Sequence, residues 1–374
     1  MDKKLKIFLT SNTSIFFNSF MLNHVKKLSK KYDVFICCNN AKILKKNFPI
    51  NVTFINISFK RGINLSNDFI NFFQVLFFFI TIRPNLSISF TPKIGFIVAF
   101  VSFLTRTPYR IHWFTGQIWA NYNGFKKVFY KSIDRLIFLL CHNVFIDGFS
   151  QRDFLIKEKI ITKKKSLVFC KGSVGGVDVS KFRFKKQKRI QLRKKYSINK
   201  NTFVFLYLGR INKDKGIIDL IHAFRRIEKN QNILLIFVGK IEDKQLLHVL
   251  NSNKKILYFN FTPNPENWFS LADILCIPSY REGFGTVVIE AASCGIPSLC
   301  SNIYGLNDAI IQNKTGFFHK AGSINDIKKK MIYIMKNKKL VKKFGLSAKK
   351  RVLKDFEQNL LTNEFLKFIN LKIF

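Results

Sequence analysis

The chain repeats one pattern twice: short strings that are apolar throughout, separated by segments whose apolar residues recur at helical spacing. The first series is Lys4–Thr10 (KLKIFLT), Tyr32–Cys38 (YDVFICC), Asn51–Ser58 (NVTFINIS), Asn85–Phe90, Tyr109–Phe114 (YRIHWF), His142–Asp147 (HNVFID) and Leu167–Cys170 (LVFC). Phe20, Met21, Val25 and Leu28 give the intervening Asn18–Lys30 a helical face. A strand without a polar face must be covered on both sides, and strands alternating with helices reach that state as a parallel sheet. Glycine-rich Gly172–Asp178 (GSVGGVD) and basic Arg183–Lys195 then break the series, as a linker and an exposed helix. The alternation restarts with strand Asn201–Leu208, helix Ile217–Ile227 and strands Ile233–Val238, Ile256–Phe259, Asp273–Pro278 and Pro297–Cys300, followed by a mostly helical tail. The expectation is α/β: two doubly wound domains in tandem, with a ligand cleft between them facing the carboxyl ends of both sheets.

Composition removes several other classes. The 374 residues include 64 Lys and Arg against 22 Asp and Glu, a net charge of +42, yet 47% are hydrophobic, which excludes a disordered chain. The basic excess has three readings: the bias of an AT-rich genome, attraction to an anionic membrane or phosphorylated substrate, and nucleic-acid binding. Against the last, the charge is spread along the whole chain and no zinc-finger or RNP signature occurs. The seven cysteines form no CxxC pair and read as small buried hydrophobes. MDKKLKIFLTSNTS does not read as a signal peptide. Of the apolar runs Phe69–Ile82, Ile94–Leu104 and Leu136–Cys141, the longest makes about 21 Å of helix, short of the ~30 Å hydrocarbon core. A cytoplasmic protein without a spanning helix is expected.

Two segments carry chemistry. Gly209-Arg210-Ile211-Asn212-Lys213-Asp214-Lys215-Gly216 follows the strand FVFLYL and precedes a helix. Arg210 and Lys215 on one short loop suit a diphosphate, a planar fork beside a point charge; a solvated basic loop is the other reading. Ser279-Tyr280-Arg281-Glu282-Gly283-Phe284-Gly285-Thr286-Val287-Val288-Ile289-Glu290 joins a strand to a helix ending near Gly295. Gly283 and Gly285 allow close backbone approach, and the helix start offers free N–H groups to phosphate. Glu282 and Glu290 fit that setting as acceptors for sugar hydroxyls, the alternative being one capping and one surface glutamate.

With these residues the chain resembles the retaining family 4 glycosyltransferases of the GT-B fold. Glu282 to Glu290 is similar to their Glu-x7-Glu motif, GRINKDKG to their Gly-Arg-x4-Lys-Gly loop, and Gly176-Val177-Asp178 with Phe182 to their interdomain segment. PSYREGFGTVVIEAASCGIP is similar to bacterial enzymes that extend lipid-linked glycans for capsule, O-antigen or glycoprotein synthesis. The resemblance implies residues 1–180 as an acceptor domain, 181–350 as a nucleotide-sugar domain, and 351–374 as a helix returning to the first. It implies transfer of a hexose or N-acetylhexosamine from a nucleoside-diphosphate sugar, UDP being the leading nucleotide, with retention and no cofactor. The acceptor would be a hydroxyl of a growing glycan on undecaprenyl diphosphate. Arg210 and Lys215 would neutralise the donor diphosphate as the glycosidic bond breaks, without a metal; no Asp-x-Asp motif occurs. Glu290 would accept from the ribose, Glu282 from the transferred sugar, and Gly209 with the backbone of Phe284, Gly285 and Thr286 would complete the donor site. His112 matches the histidine that faces the donor sugar, a core role being its alternative. Two departures stand out: Ser11-Asn12-Thr13-Ser14 lacks the family's glycines after the first strand, and GSVGGVD lacks the Asn before Gly-Val-Asp.

Phe125, Lys126, Lys127 and Lys131 place aromatics and cations on one helix, which with Phe69–Ile82 suits contact with an anionic inner-membrane surface or, alternatively, ordinary core packing. Two further functions share parts of this pattern. A nucleotide-sugar 2-epimerase would need more cleft acids or histidines than this chain supplies, and a basic membrane- or nucleic-acid-binding module would be indifferent to UDP.

Overall fold

The computed structural model describes residues 4–372 apart from 61, 63, 230, 244 and 252. The chain divides into Met1–Gly176 with Gln358–Phe374, and Val177–Glu357; the divisions therefore fall at 176 and 357, where the sequence placed them at 180 and 350.

The first unit holds β1 (Lys6–Thr13), β2 (Asp33–Asn39), β3 (Thr53–Asn56), β4 (Leu86–Phe90), β5 (Tyr109–Phe114), β6 (Asn143–Ile146) and β7 (Ser166–Leu167). They form one parallel sheet in the order β3-β2-β1-β4-β5-β6-β7. Alternate residues of β1 feed opposite cores. Phe8 packs with Val75, Phe79, Ile94 and Val98 under helices Leu65–Ile82 and Pro92–Leu104, whereas Ile7 and Leu9 pack with Val25, Phe365 and Ile369. The right-handed crossovers β3 to β4, β4 to β5 and β5 to β6 put helices Leu65–Ile82, Pro92–Leu104 and Gly124–Leu140 on one face. Helix Gln358–Lys372 covers the other, where Asn23 Nδ2 donates to Thr362 Oγ1 at 2.9 Å.

Three expectations are corrected in this unit. The helix foreseen over Asn18–Lys30 is broken into Ser14–Phe16, a π-turn Phe17–Met21, and Leu22–Leu28; the widened turn buries Phe17 and Met21 while the Phe16 ring lies 4.8 Å from that of Phe90. The first strand does not end at Thr10, because β1 continues through Ser11-Asn12-Thr13 after a register shift. The apolar run Phe69–Ile82 belongs to an 18-residue helix, about 27 Å long, that by length and composition could cross a membrane. Here Asn71, Val75 and Phe79 attach it to the sheet as one buried stripe.

The second unit holds β8 (Phe203–Leu208), β9 (Ile233–Val238), β10 (Ile256–Phe259), β11 (Ile274–Ile277), β12 (Ser298–Ser301) and β13 (Gly316–His319), parallel in the order β10-β9-β8-β11-β12-β13. The sequence missed β13, four residues beginning with glycine inside what reads as a helical tail. Arg183–Lys195 is no mere linker: its helix Lys186–Lys195 docks through Arg189 and Arg193, which hold the Asp273 carboxylate at 2.7 and 3.2 Å. That carboxylate also accepts Val204 N at 2.8 Å, tying the helix to β8. Val177 and Phe182 are buried in this unit's core, and Val177 N donates to Phe356 O at 2.8 Å.

Candidate functional site

In the second sheet the chain winds outward from β8 to β10, then returns to β11 and winds the other way. A crevice for ligands opens at such a switch point, beyond the carboxyl ends of the two middle strands. Both segments singled out in the sequence leave the sheet there: Gly209 follows β8, and Ser279 follows β11 by one proline.

Backbone contacts draw the loops together. Tyr280 N donates to Asp214 O at 2.9 Å, and Arg281 pairs with Asp214 at 3.6 Å. Gly216 turns at φ +65°, and a Cβ there would lie 2.1 Å from Pro278 O. A Cβ on Gly239 would lie 1.8 Å from Gly209 O, so the loops after β8 and β9 are also back to back. Such approaches admit only glycine without backbone movement.

The charged groups meet across this crevice. Lys215 Nζ lies 2.6 Å from Glu282 Oε1, which also accepts Ser279 Oγ at 2.8 Å; both partners are largely buried. Arg210 Nη1 lies 3.1 Å from Glu242 Oε2, and Asn212 Nδ2 donates to the same oxygen at 2.8 Å. Tyr207, buried at the end of β8, donates from its hydroxyl to Arg210 O at 2.6 Å. The sequence assigned cations and carboxylates to different parts of a ligand; the structure pairs them. A diphosphate reaching Lys215 must therefore exchange with a carboxylate already in place, a charge-assisted contact for another of the same kind.

Gly285 caps helix Thr286–Ser293 at φ +72°, with Thr286 opening the first turn. The Phe284 side chain is not at the loop surface but in the core, its ring 5.5 Å from Phe356. Glu290, midway along the helix, keeps some solvent exposure although protein surrounds it. Burial pushes its carboxyl up to about 8, with Lys181 opposing and Glu266 reinforcing the shift. It stands with Glu266 and Lys181, not with the Lys215–Glu282 pair.

In the first unit, His112 is fully buried, Nδ1 2.8 Å from Ser89 Oγ. Burial lowers its pKa to about 3, so the ring is neutral, and a Cβ on Gly95 would lie 2.3 Å from its Cε1. Within its own unit the ring is packed as a core histidine would be. Phe125 is exposed, Lys126 lies 4.4 Å over the Tyr122 ring, and Lys131 pairs with Glu158 at 2.7 Å. Lys131 is thus engaged with Glu158, and Lys127 stays partly exposed.

Sequence reasoning missed Gly239, Glu242 and Gly305, and gave Ser279 no partner. A Cβ on Gly305 would lie 2.5 Å from Gly283 O. For Gly239 the signal was present, a glycine directly after a wholly apolar strand, as at Gly209. Glu242 is visible only through β8–β9 pairing. A groove of about 1060 Å³ elsewhere in the unit, lined by Lys314, Thr315 and Tyr333, opens where β13 begins. It lies at the opposite edge of the parallel sheet, away from the switch point.

Residues 188–351 match the family described as Glycosyl transferases group 1. Most of the second unit is thus similar to a group 1 glycosyltransferase domain, and the chain is a glycosyltransferase. It is 27% identical over 352 residues to the capsular polysaccharide biosynthesis glycosyltransferase CapM of Staphylococcus aureus, covering 92% of this chain and 91% of that one. The two-domain GT-B fold is shared with solved structures. One is a glycosyltransferase from Rickettsia africae (TM-score 0.78, 20% identity, 98% of each chain). Another is Anabaena HepE in complex with UDP and glucose (TM-score 0.81, 14% identity, 99% of this chain and 100% of that one).

Proposed function

We propose that this enzyme transfers a hexose or N-acetylhexosamine from a nucleoside-diphosphate sugar, UDP foremost, to a hydroxyl of a growing surface glycan carried on undecaprenyl diphosphate. The observation that carries the reading is the Lys215–Glu282 pair, 2.6 Å apart across the switch point of the second sheet. The capsular relative supports a surface-glycan product, and HepE, solved with UDP and glucose, supports the donor class.

In this reading the donor diphosphate takes Lys215 from Glu282 and draws on Arg210, whose guanidinium is half-exposed beside Glu242. Charge developing on the departing diphosphate is met by fixed cations, the largest kind of contribution a preorganised site makes. Glu282, released from the lysine, accepts from the transferred sugar. Glu290 faces the ribose, and the backbone of Phe284, Gly285 and Thr286 holds sugar and phosphate. Transfer proceeds with retention by a same-face route, without a protein nucleophile. The first unit takes the acceptor, and peripheral contact with an anionic inner membrane places the enzyme where that lipid lies. The test is incubation with a panel of nucleotide-sugars and a lipid-linked acceptor, read by product mass. One added hexose or N-acetylhexosamine is expected, formed about 10²-fold or more slowly by Lys215→Ala; an undiminished rate in that variant contradicts the reading.

A further inference from the structure

We propose that the outer face of the three helices Leu65–Ile82, Pro92–Leu104 and Gly124–Leu140 is the surface by which the first unit seats on an anionic lipid bilayer, with the Phe69, Phe73, Phe77 stripe entering among the acyl chains. The proposal deepens the membrane part of the reading above and is independent of the donor chemistry.

These helices follow one another over the same sheet face. Leu65–Ile82 and Pro92–Leu104 share a core, and the Phe72 and Phe100 rings lie 6.0 Å apart between them. A helix on a sheet ordinarily turns a polar side to water. The first of these does the reverse: Asn71 is buried, while Phe69, Phe73 and Phe77, four residues apart, are 66%, 50% and 61% exposed. No charged residue occurs between Asp68 and Arg83. The second helix adds exposed Phe103 and Leu104, and the third Phe125, Val128, Leu136 and Leu139. Apolar surface of this extent marks a partner or a membrane.

Charge decides between the two. Residues 65–140 contain eight Lys and Arg and only two acids, Asp68 and Asp134. Asp68 is held by Lys93 at 2.6 Å, and Asp134 is buried, accepting from Trp119 Nε1 at 2.6 Å. Over this stretch the exposed charges among the described residues are therefore cations, among them Arg83, Arg106, Lys126 and Arg135, while the neighbouring Glu158 is held by Lys131. Two copies meeting face to face would oppose like charges on a chain of +42. An anionic headgroup layer meets the cations while the acyl region takes the phenylalanines. Asn71, Val75 and Phe79 keep the helix on its sheet, so it lies along the interface instead of crossing it.

Binding of the full chain to vesicles of phosphatidylcholine alone, and of phosphatidylcholine with phosphatidylglycerol, tests this at several salt concentrations. Wild type is expected to bind the anionic vesicles only, with salt weakening but not abolishing the binding. The double variant Phe73→Ser/Phe77→Ser, changed only at exposed positions, is expected to bind roughly tenfold or more weakly at every salt concentration. Lys126→Glu/Lys127→Glu should lose binding chiefly at low salt. Full binding by the phenylalanine variant overturns the proposal, as does equal binding to both vesicles or to neither. A concentration-dependent dimer that the phenylalanine variant abolishes would assign the face to a second copy. UDP binding, measured on the same samples without lipid, reports on the donor site alone, so the two readings fail separately.

Discussion

At the carboxyl edge of the second sheet, charges are held in pairs over backbone that turns on glycine: Lys215 with Glu282, Arg210 with Glu242, between Gly209, Gly216 and Gly239. At the same edge of the first sheet, Thr10, Ser11, Ser89 and His112 are buried and uncharged, and no glycine occurs from Leu5 to Arg61. The winding is shared and the chemistry is not. Paired charges at a switch point can be re-paired with a ligand; a neutral row under a helix supports packing. The outer faces differ as well, the first unit exposing phenylalanines and the second a lysine-lined groove.

The strongest way to break this contrast is to remove one group from each edge. Lys215→Ala is expected to lower donor turnover about 10²-fold or more per folded molecule, whatever stability is lost by leaving Glu282 unpaired. His112→Ala is expected to do the opposite, costing about 1–3 kcal/mol of stability by opening a cavity and orphaning Ser89 Oγ, with turnover per folded molecule kept. Kinetics alongside thermal denaturation check both, and exchanged phenotypes would dissolve the distinction.

Glycine substitutions sharpen it. Gly239→Ala drives a Cβ to 1.8 Å from a carbonyl oxygen and must displace the loop carrying Arg210. A cost of about 1–3 kcal/mol and weakened UDP binding are expected. Gly124→Ala, at φ +61° with open space around it, should cost about 1 kcal/mol and leave UDP binding unchanged. Calorimetry on the two variants separates backbone approach from backbone conformation.

Acid and base probe the units differently. Burial lowers His24 to about 4 and His112 to about 3, below the usual 6.5. Their neutral forms add stability that is complete above pH 6.5 and lost as pH falls through those values. Glu290, raised to about 8, works the other way: its contribution is complete below about 4.5 and lost as pH rises through 8. Asp134 and Asp147 of the first unit, raised to about 7 and 8 by burial, add to the alkaline loss. The discriminating measurement is therefore the variant: Glu290→Gln should flatten the alkaline limb in part and leave the acid limb as it was.

Most of the strand order was legible because a doubly covered sheet demands unbroken apolar strings, and those strings are hard to hide. β13 escaped because four residues starting at glycine carry too little pattern. The donor loops were legible through residue type: two cations on one loop and two glutamates in an acid-poor chain. Their pairing was not, since which cation meets which carboxylate depends on β8 lying beside β11, a relation between residues about seventy apart. His112 shows the converse limit. Its place in the carboxyl half of β5 was visible, but its burial is set by Gly95 on a helix whose packing no local pattern reveals.

The smallest expected effect belongs to Glu242→Gln. Arg210 is half-exposed, so the pair is worth no more than about 1 kcal/mol, and a donor KM rise of a few-fold is expected, read from initial rates.

Titration of UDP into wild type and Lys215→Ala, followed by calorimetry, addresses the donor edge directly. Saturable binding by wild type and at least tenfold weaker binding by the variant are expected. Equal affinity in the two proteins, or no nucleoside diphosphate bound by either, would contradict the placing of the donor between β8 and β11.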